Sequence, residues 1–122
     1  MEVSILFVTA GKAEEASKIA RTLVAEKLVA CVNLVSQIQS IYWWKGEVRE
    51  DAELLLIMKT RSELVEAVQK RVKELHSYEV PEIIAMPIAQ GLPAYLSWIV
   101  ESTEGGGKRI SPEAEETSVG AT

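Results

Sequence analysis

The sequence predicts an α+β domain: a four-stranded antiparallel sheet with two helices on one face. Three observations carry this reading. Apolar periodicity alternates between strand and helix in the order strand, helix, strand, strand, helix, strand. Two long apolar arms, LVACVNLVSQIQSIYWW and EVREDAELLLIMKT, flank a Lys45-Gly46 reversal and read as a hairpin. Finally, Leu54 to Met58 is an unbroken apolar run. Strand alternation sends about half of such a run to each face, so both faces of the sheet call for cover.

The first element, Val3 to Thr9, is apolar and β-branched and ends at Ala10-Gly11-Lys12. From Ala13 to Lys27, the residues Ala16, Ile19, Ala20, Leu23 and Val24 recur at helical spacing, with Glu14 and Glu15 in the first turn, where the dipole favours them. The hairpin follows. Leu28 to Trp44 as one straight strand would span about 50 Å, against a radius of gyration of about 13 Å for a domain of this size. The hairpin therefore bends or projects, and the Tyr42, Trp43 and Trp44 tip is expected against another copy of the chain.

Thr60-Arg61-Ser62-Glu63 reads as a capping box for the second helix, which carries Leu64, Val65, Val68, Val72 and Leu75 on one stripe. Pro81 ends that segment. Glu82 to Ala89 is the fourth strand, with Pro87 assigning it to an edge or a bulge. Gly91-Leu92-Pro93 opens a last helix with Leu92, Leu96, Ile99 and Thr103 on one face. The folded domain is expected over residues 1–103. Residues 104–122, glycine-rich and then acidic, read as a disordered tail. The order βαββαβ is that of a ferredoxin-like sandwich with a long projecting hairpin and a C-terminal helix.

Composition narrows the function. A net charge of −5 over 122 residues argues against general affinity for phosphate backbones, so no nucleic-acid partner is expected. Cys31 is the only cysteine, which fits a reducing compartment. The N-terminus has no basic leader and only a short apolar run. A cytoplasmic protein with no membrane partner is expected. The sequence holds no G-x-S-x-G, G-x-x-x-x-G-K or H-E-x-x-H, and no nucleophile with an adjacent base, so no enzyme is expected.

Several motifs in order resemble the CutA family of divalent-cation tolerance proteins. They are Ala30-Cys31-Val32-Asn33, Ser40-Ile41-Tyr42-Trp43-Trp44-Lys45-Gly46, Lys59-Thr60, His76-Ser77-Tyr78-Glu79-Val80-Pro81-Glu82 and Tyr95-Leu96-Ser97-Trp98. The resemblance implies a homotrimer of sheets packed face to face, and a link to copper and other divalent ions. It also implies where copper ligands would stand: a Cys at the end of the first strand and a His-His pair after the second helix. Here those positions hold Val8, Leu75 and His76, so His76 alone remains as a metal candidate.

Each candidate has two readings. His76 is either a helix-end residue bonded to a carbonyl or a metal ligand, with Glu79 and Glu82 as neighbouring oxygen donors. Cys31 is either a small core residue or, in three copies about an axis, a thiolate site. Glu47, Glu50, Asp51 and Glu53 are either a solvated edge or a weak cation patch. The expected cofactor is at most a weakly bound Cu²⁺ or other divalent cation, and no organic cofactor is expected. The reading placed first is a non-enzymatic, metal-responsive trimer. The alternatives are a PII-like sensor that binds an effector between subunits, and a trimeric scaffold for a protein partner.

Overall fold

The computed structural model describes residues 2–107. Its strands are β1 (Val3–Ala10), β2 (Cys31–Trp44), β3 (Glu47–Arg61) and β4 (Ile83–Pro87); its helices are α1 (Ala13–Ala25), α2 (Val65–Leu75) and α3 (Pro93–Ser102). The sheet order is β2-β3-β1-β4, and every pairing is antiparallel. This is the ferredoxin-like βαββαβ fold. β4 is an edge strand, and Pro87, its last residue, lies opposite Ser4.

Alternation divides the sheet into two faces. Leu6, Val8, Leu56 and Met58 point toward α1 and α2, where they pack with Ile19, Leu23, Val68 and Val72 into a fully buried core. The opposite face carries Ile5, Phe7, Leu55 and Ile57, flanked by Val35, Ile84 and Met86. Among the described residues, cover comes at its Val3 end, where Ile99 of α3 packs against Val3 and Ala30. Ile84 and Met86 remain 53% and 49% exposed.

The hairpin both bends and projects. Val35 pairs with Leu55 and Ile38 with Glu53, so Ser36 and Gln37 oppose Leu54 alone; Gln37 takes φ 58°. This is a β-bulge, and it re-aims the outer half of the hairpin. At the tip, Lys45 and Gly46 both have positive φ, 50° and 78°, as a type I′ turn requires. Ile41, Trp43 and Val48 share one side of the tip and stand exposed, Trp43 by 73%.

Two local expectations are corrected. The Thr60–Glu63 capping box does not form: Thr60 is fully buried in β3, and its hydroxyl donates to the Leu28 carbonyl at 2.7 Å. Glu63 pairs with Arg61, and α2 is entered through a 3-10 turn, Ser62–Leu64, with no side-chain cap. Helix α1 ends at Ala25 rather than Lys27. Lys27 adopts φ 58°; its N–H and that of Leu28 donate to the carbonyls of Val24 and Leu23, both at 3.0 Å. These bonds form a Schellman closure with lysine in the left-handed position usually filled by glycine.

Beyond α3, the described chain continues to Gly107. Glu104–Gly107 form turns, Gly106 is buried, and its N–H donates to the Thr103 carbonyl at 3.0 Å. Arg61 donates to the Thr103 hydroxyl at 2.9 Å and to its carbonyl at 2.7 Å, fixing the end of α3 to β3. The remainder of the expected tail, 108–122, lies outside the described residues.

Candidate functional site

His76 follows the last turn of α2, and its own N–H closes that helix on the Val72 carbonyl at 2.9 Å. The chain then turns back through Ser77 and Tyr78, which carries the ring toward the end of β1. Its side chain is fully buried. Nδ1 accepts a hydrogen bond from the Tyr78 backbone N–H at 3.0 Å. Nε2 lies 2.7 Å from the Thr9 carbonyl. A carbonyl only accepts, so these partners assign the neutral tautomer with its proton on Nε2. Both ring nitrogens are thus engaged, and a metal at either must first displace a hydrogen bond. Of its two readings, the carbonyl-bonded helix end matches what His76 does in the folded chain.

The surroundings are acidic and aromatic. Glu15 of α1 places Oε2 3.6 Å from His76 Nδ1, and that buried oxygen has no hydrogen-bond partner. The Tyr78 ring packs on the imidazole with centroids 4.6 Å apart, and its hydroxyl donates to Glu53 Oε2 at 2.7 Å. Burial, then this hydrogen bond, pushes the Tyr78 phenol far above its usual range. Sequence reasoning missed this pair. In sequence Glu53 stands with Glu47, Glu50 and Asp51, yet in the fold it is buried beside Tyr78. Glu47, Glu50 and Asp51 are exposed: Asp51 accepts from Tyr42, Glu50 from Gln39, and Glu47 pairs loosely with Arg49. Glu79 and Glu82 do not reach His76 as further donors: among the described residues, no group of three or more His, Cys, Asp or Glu side chains converges on a point where a metal could sit. The donor set present therefore does not fit a tight copper centre, which needs several soft ligands together.

Cys31 lies elsewhere. It starts β2 on the uncovered face, opposite Lys59, and is only partly shielded. Its Sγ is 3.7 Å from the Tyr95 hydroxyl, which belongs to α3. Lys59 donates to Asn33 Oδ1. Tyr95 and Trp98 form an aromatic pair with centroids 5.4 Å apart. The topology thus brings two sequence motifs, Cys31–Asn33 and Tyr95–Trp98, to one end of the uncovered face.

Comparison with known proteins agrees with this architecture. The family model described as CutA1 divalent ion tolerance protein matches residues 4–102. Protein CutA of Mus musculus is 50% identical over 102 residues, which are 84% of this chain and 58% of that protein. The divalent-cation tolerance protein CutA of Thermus thermophilus is 50% identical over 99 residues, 81% of this chain and 96% of that protein. The crystal structure of CutA1 from Oryza sativa superposes with a TM-score of 0.82 at 46% identity, covering 84% of this chain and 94% of that one. The chain spans little more than half the length of the mouse relative and nearly all of the Thermus one.

Proposed function

Since the chain belongs to the CutA1 family of divalent ion tolerance proteins, we propose that it acts as a non-enzymatic homotrimer in the cell's response to divalent metal ions, copper among them. One observation carries the assembly: the sheet face bearing Ile5, Phe7, Leu55, Ile57, Ile84 and Met86 is largely without cover from the described residues. A contiguous apolar surface of that kind is the signature of an interface. The exposed stripe of Ile41, Trp43 and Val48 on the projecting hairpin supplies a second contact, reaching around a neighbour. Three copies and a cytoplasmic setting are the family expectation, and the free thiol of Cys31 suits a reducing compartment.

Cation binding in this proposal is weak and draws donors from more than one chain. Within one chain the nearest candidate pair is His76 Nδ1 and Glu15 Oε2, and that nitrogen is free only when Tyr78 releases it. Two experiments test the reading. Light scattering at low micromolar concentration should report about 40 kDa, three copies of the 13.4 kDa chain; a folded single subunit would remove the proposal. Calorimetric titration with Cu²⁺ should give a saturable but weak signal that falls on His76→Gln. Absence of any saturable signal would remove the metal contact.

A second reading, an effector sensor with clefts between subunits, is favoured by the polar cluster around Lys59 on the otherwise apolar face.

A further inference from the structure

Lys59 is a cation placed where the fold calls for cover. It projects from β3 on the uncovered face, with Cys31 and Ile5 directly across on the neighbouring strands and Met86 one strand beyond. Among the described residues, Arg61 is paired with Glu63, Arg71 with Glu26 and Glu74, and Arg49 with Glu47, but no carboxylate lies within 4 Å of Lys59. Its ammonium donates only to the neutral Asn33 amide. When a second copy covers this face, the ammonium loses water, and an unpaired buried charge is strongly disfavoured. Something negative must therefore arrive with the cover.

The surrounding groups specify what. The Asn33 oxygen is taken by Lys59, which leaves the amide N–H₂ to donate. The Tyr95 hydroxyl, 3.7 Å from Cys31 Sγ in a contact where either atom can donate, is able to turn its proton to a ligand as a further donor. The Tyr95 and Trp98 rings, inclined by 30°, make an apolar wall beside these donors. An ammonium with no carboxylate at hand repels a divalent cation, so this is not a metal site. We propose that Lys59, Asn33 and Tyr95, walled by Trp98 and closed by a second copy of the chain, bind a small planar organic carboxylate. The carboxylate meets Lys59 and the two neutral donors, and its flat body lies on the aromatic pair. This inference rests on the assembly proposed above.

The test is calorimetric titration of the full-length protein with benzoate, with light scattering on every sample. Saturable benzoate binding is expected, weakened at least tenfold by Lys59→Gln and several-fold by Tyr95→Phe, with assembly retained. An assembled wild-type protein that takes up no benzoate overturns the site and leaves the assembly standing. Equal affinity in wild type and Tyr95→Phe also overturns it. Loss of assembly in Lys59→Gln overturns it too, because the counter-charge is then a neighbour's carboxylate. A wild-type protein that stays a folded single subunit overturns the assembly and the site together.

Discussion

Gly106 lies so close to Lys27 that a Cβ at position 106 would stand 1.8 Å from the Lys27 carbonyl oxygen. That oxygen belongs to backbone held by the Schellman closure of α1, so it has no side-chain freedom with which to yield. The segment after α3 is thereby locked against the end of the first helix.

Gly106→Ala is accordingly expected to destabilise the protein by about 2–4 kcal/mol, above the usual cost of an overpacked site because the clash is with main chain. Gly46→Asn at the hairpin tip, where nothing lies within 4 Å, should change stability by less than about 0.5 kcal/mol, since Asn tolerates positive φ. Urea unfolding of both variants checks the contrast. Equal effects would mean that 104–107 is not part of the cooperative unit.

Thr60 is the second position where a buried contact decides the outcome. Thr60→Val keeps the shape but removes the donor to the Leu28 carbonyl. A buried carbonyl left without its partner costs about 1–3 kcal/mol. A capping role would predict instead that the loss appears as fraying of α2. Amide exchange separates the two: the expected change is at the β3–Leu28 contact, with α2 protection lowered only as far as global stability falls.

The Tyr78–Glu53 bond predicts an alkaline limb in the stability profile. The folded-state phenol is held above its ordinary pKa, so the folded chain keeps a proton that the unfolded chain gives up. Stability is then unaffected below about pH 10, the ordinary tyrosine value, and falls as pH rises above it. Tyr78→Phe should flatten that decline and, at neutral pH, lower stability by about 1.5 kcal/mol through loss of a hydrogen bond to a buried carboxylate. Denaturant midpoints between pH 8 and pH 11 supply the measurement, and an unchanged slope in Tyr78→Phe would refute the assignment.

Trp43→Ser tests the hairpin tip. The indole is exposed in the single chain and pairs across the hairpin with Val48. Its loss should leave the circular dichroism of the subunit unchanged while weakening assembly by about 2 kcal/mol, as for an aromatic anchor at an interface. Dilution experiments followed by light scattering read this directly. An unaltered dissociation midpoint would show that the tip meets no neighbour.

Much of the fold was legible because each element announces itself locally. The continuous apolar runs of β1 and β3, the three-and-four spacing in α1 and α2, the Lys45-Gly46 reversal and Pro87 at the edge all depend on a few adjacent residues. The candidate sites were less legible. Glu53 sits among exposed acids in the chain and looks like them; only the path of the Ser77–Pro81 segment brings Tyr78 over it. His76 could be placed at a helix end, and its bond from the Tyr78 N–H is local, but its other partner, the Thr9 carbonyl, lies 67 positions away in the chain.

By itself the sequence determined the order of strands and helices, the reach of the hairpin and the presence of an apolar face too many, because burial in regular structure imposes a period that side chains must follow. Tertiary structure alone decided which polar atoms satisfy one another. It turned Thr60 from a cap into a buried donor, engaged both nitrogens of His76, and left Lys59 on the open face with no counter-charge among the described residues. The Thr60–Leu28, His76–Thr9 and Lys59–Asn33 contacts depend on register and loop path, which bring together residues 26 to 67 positions apart, and no local pattern records that meeting.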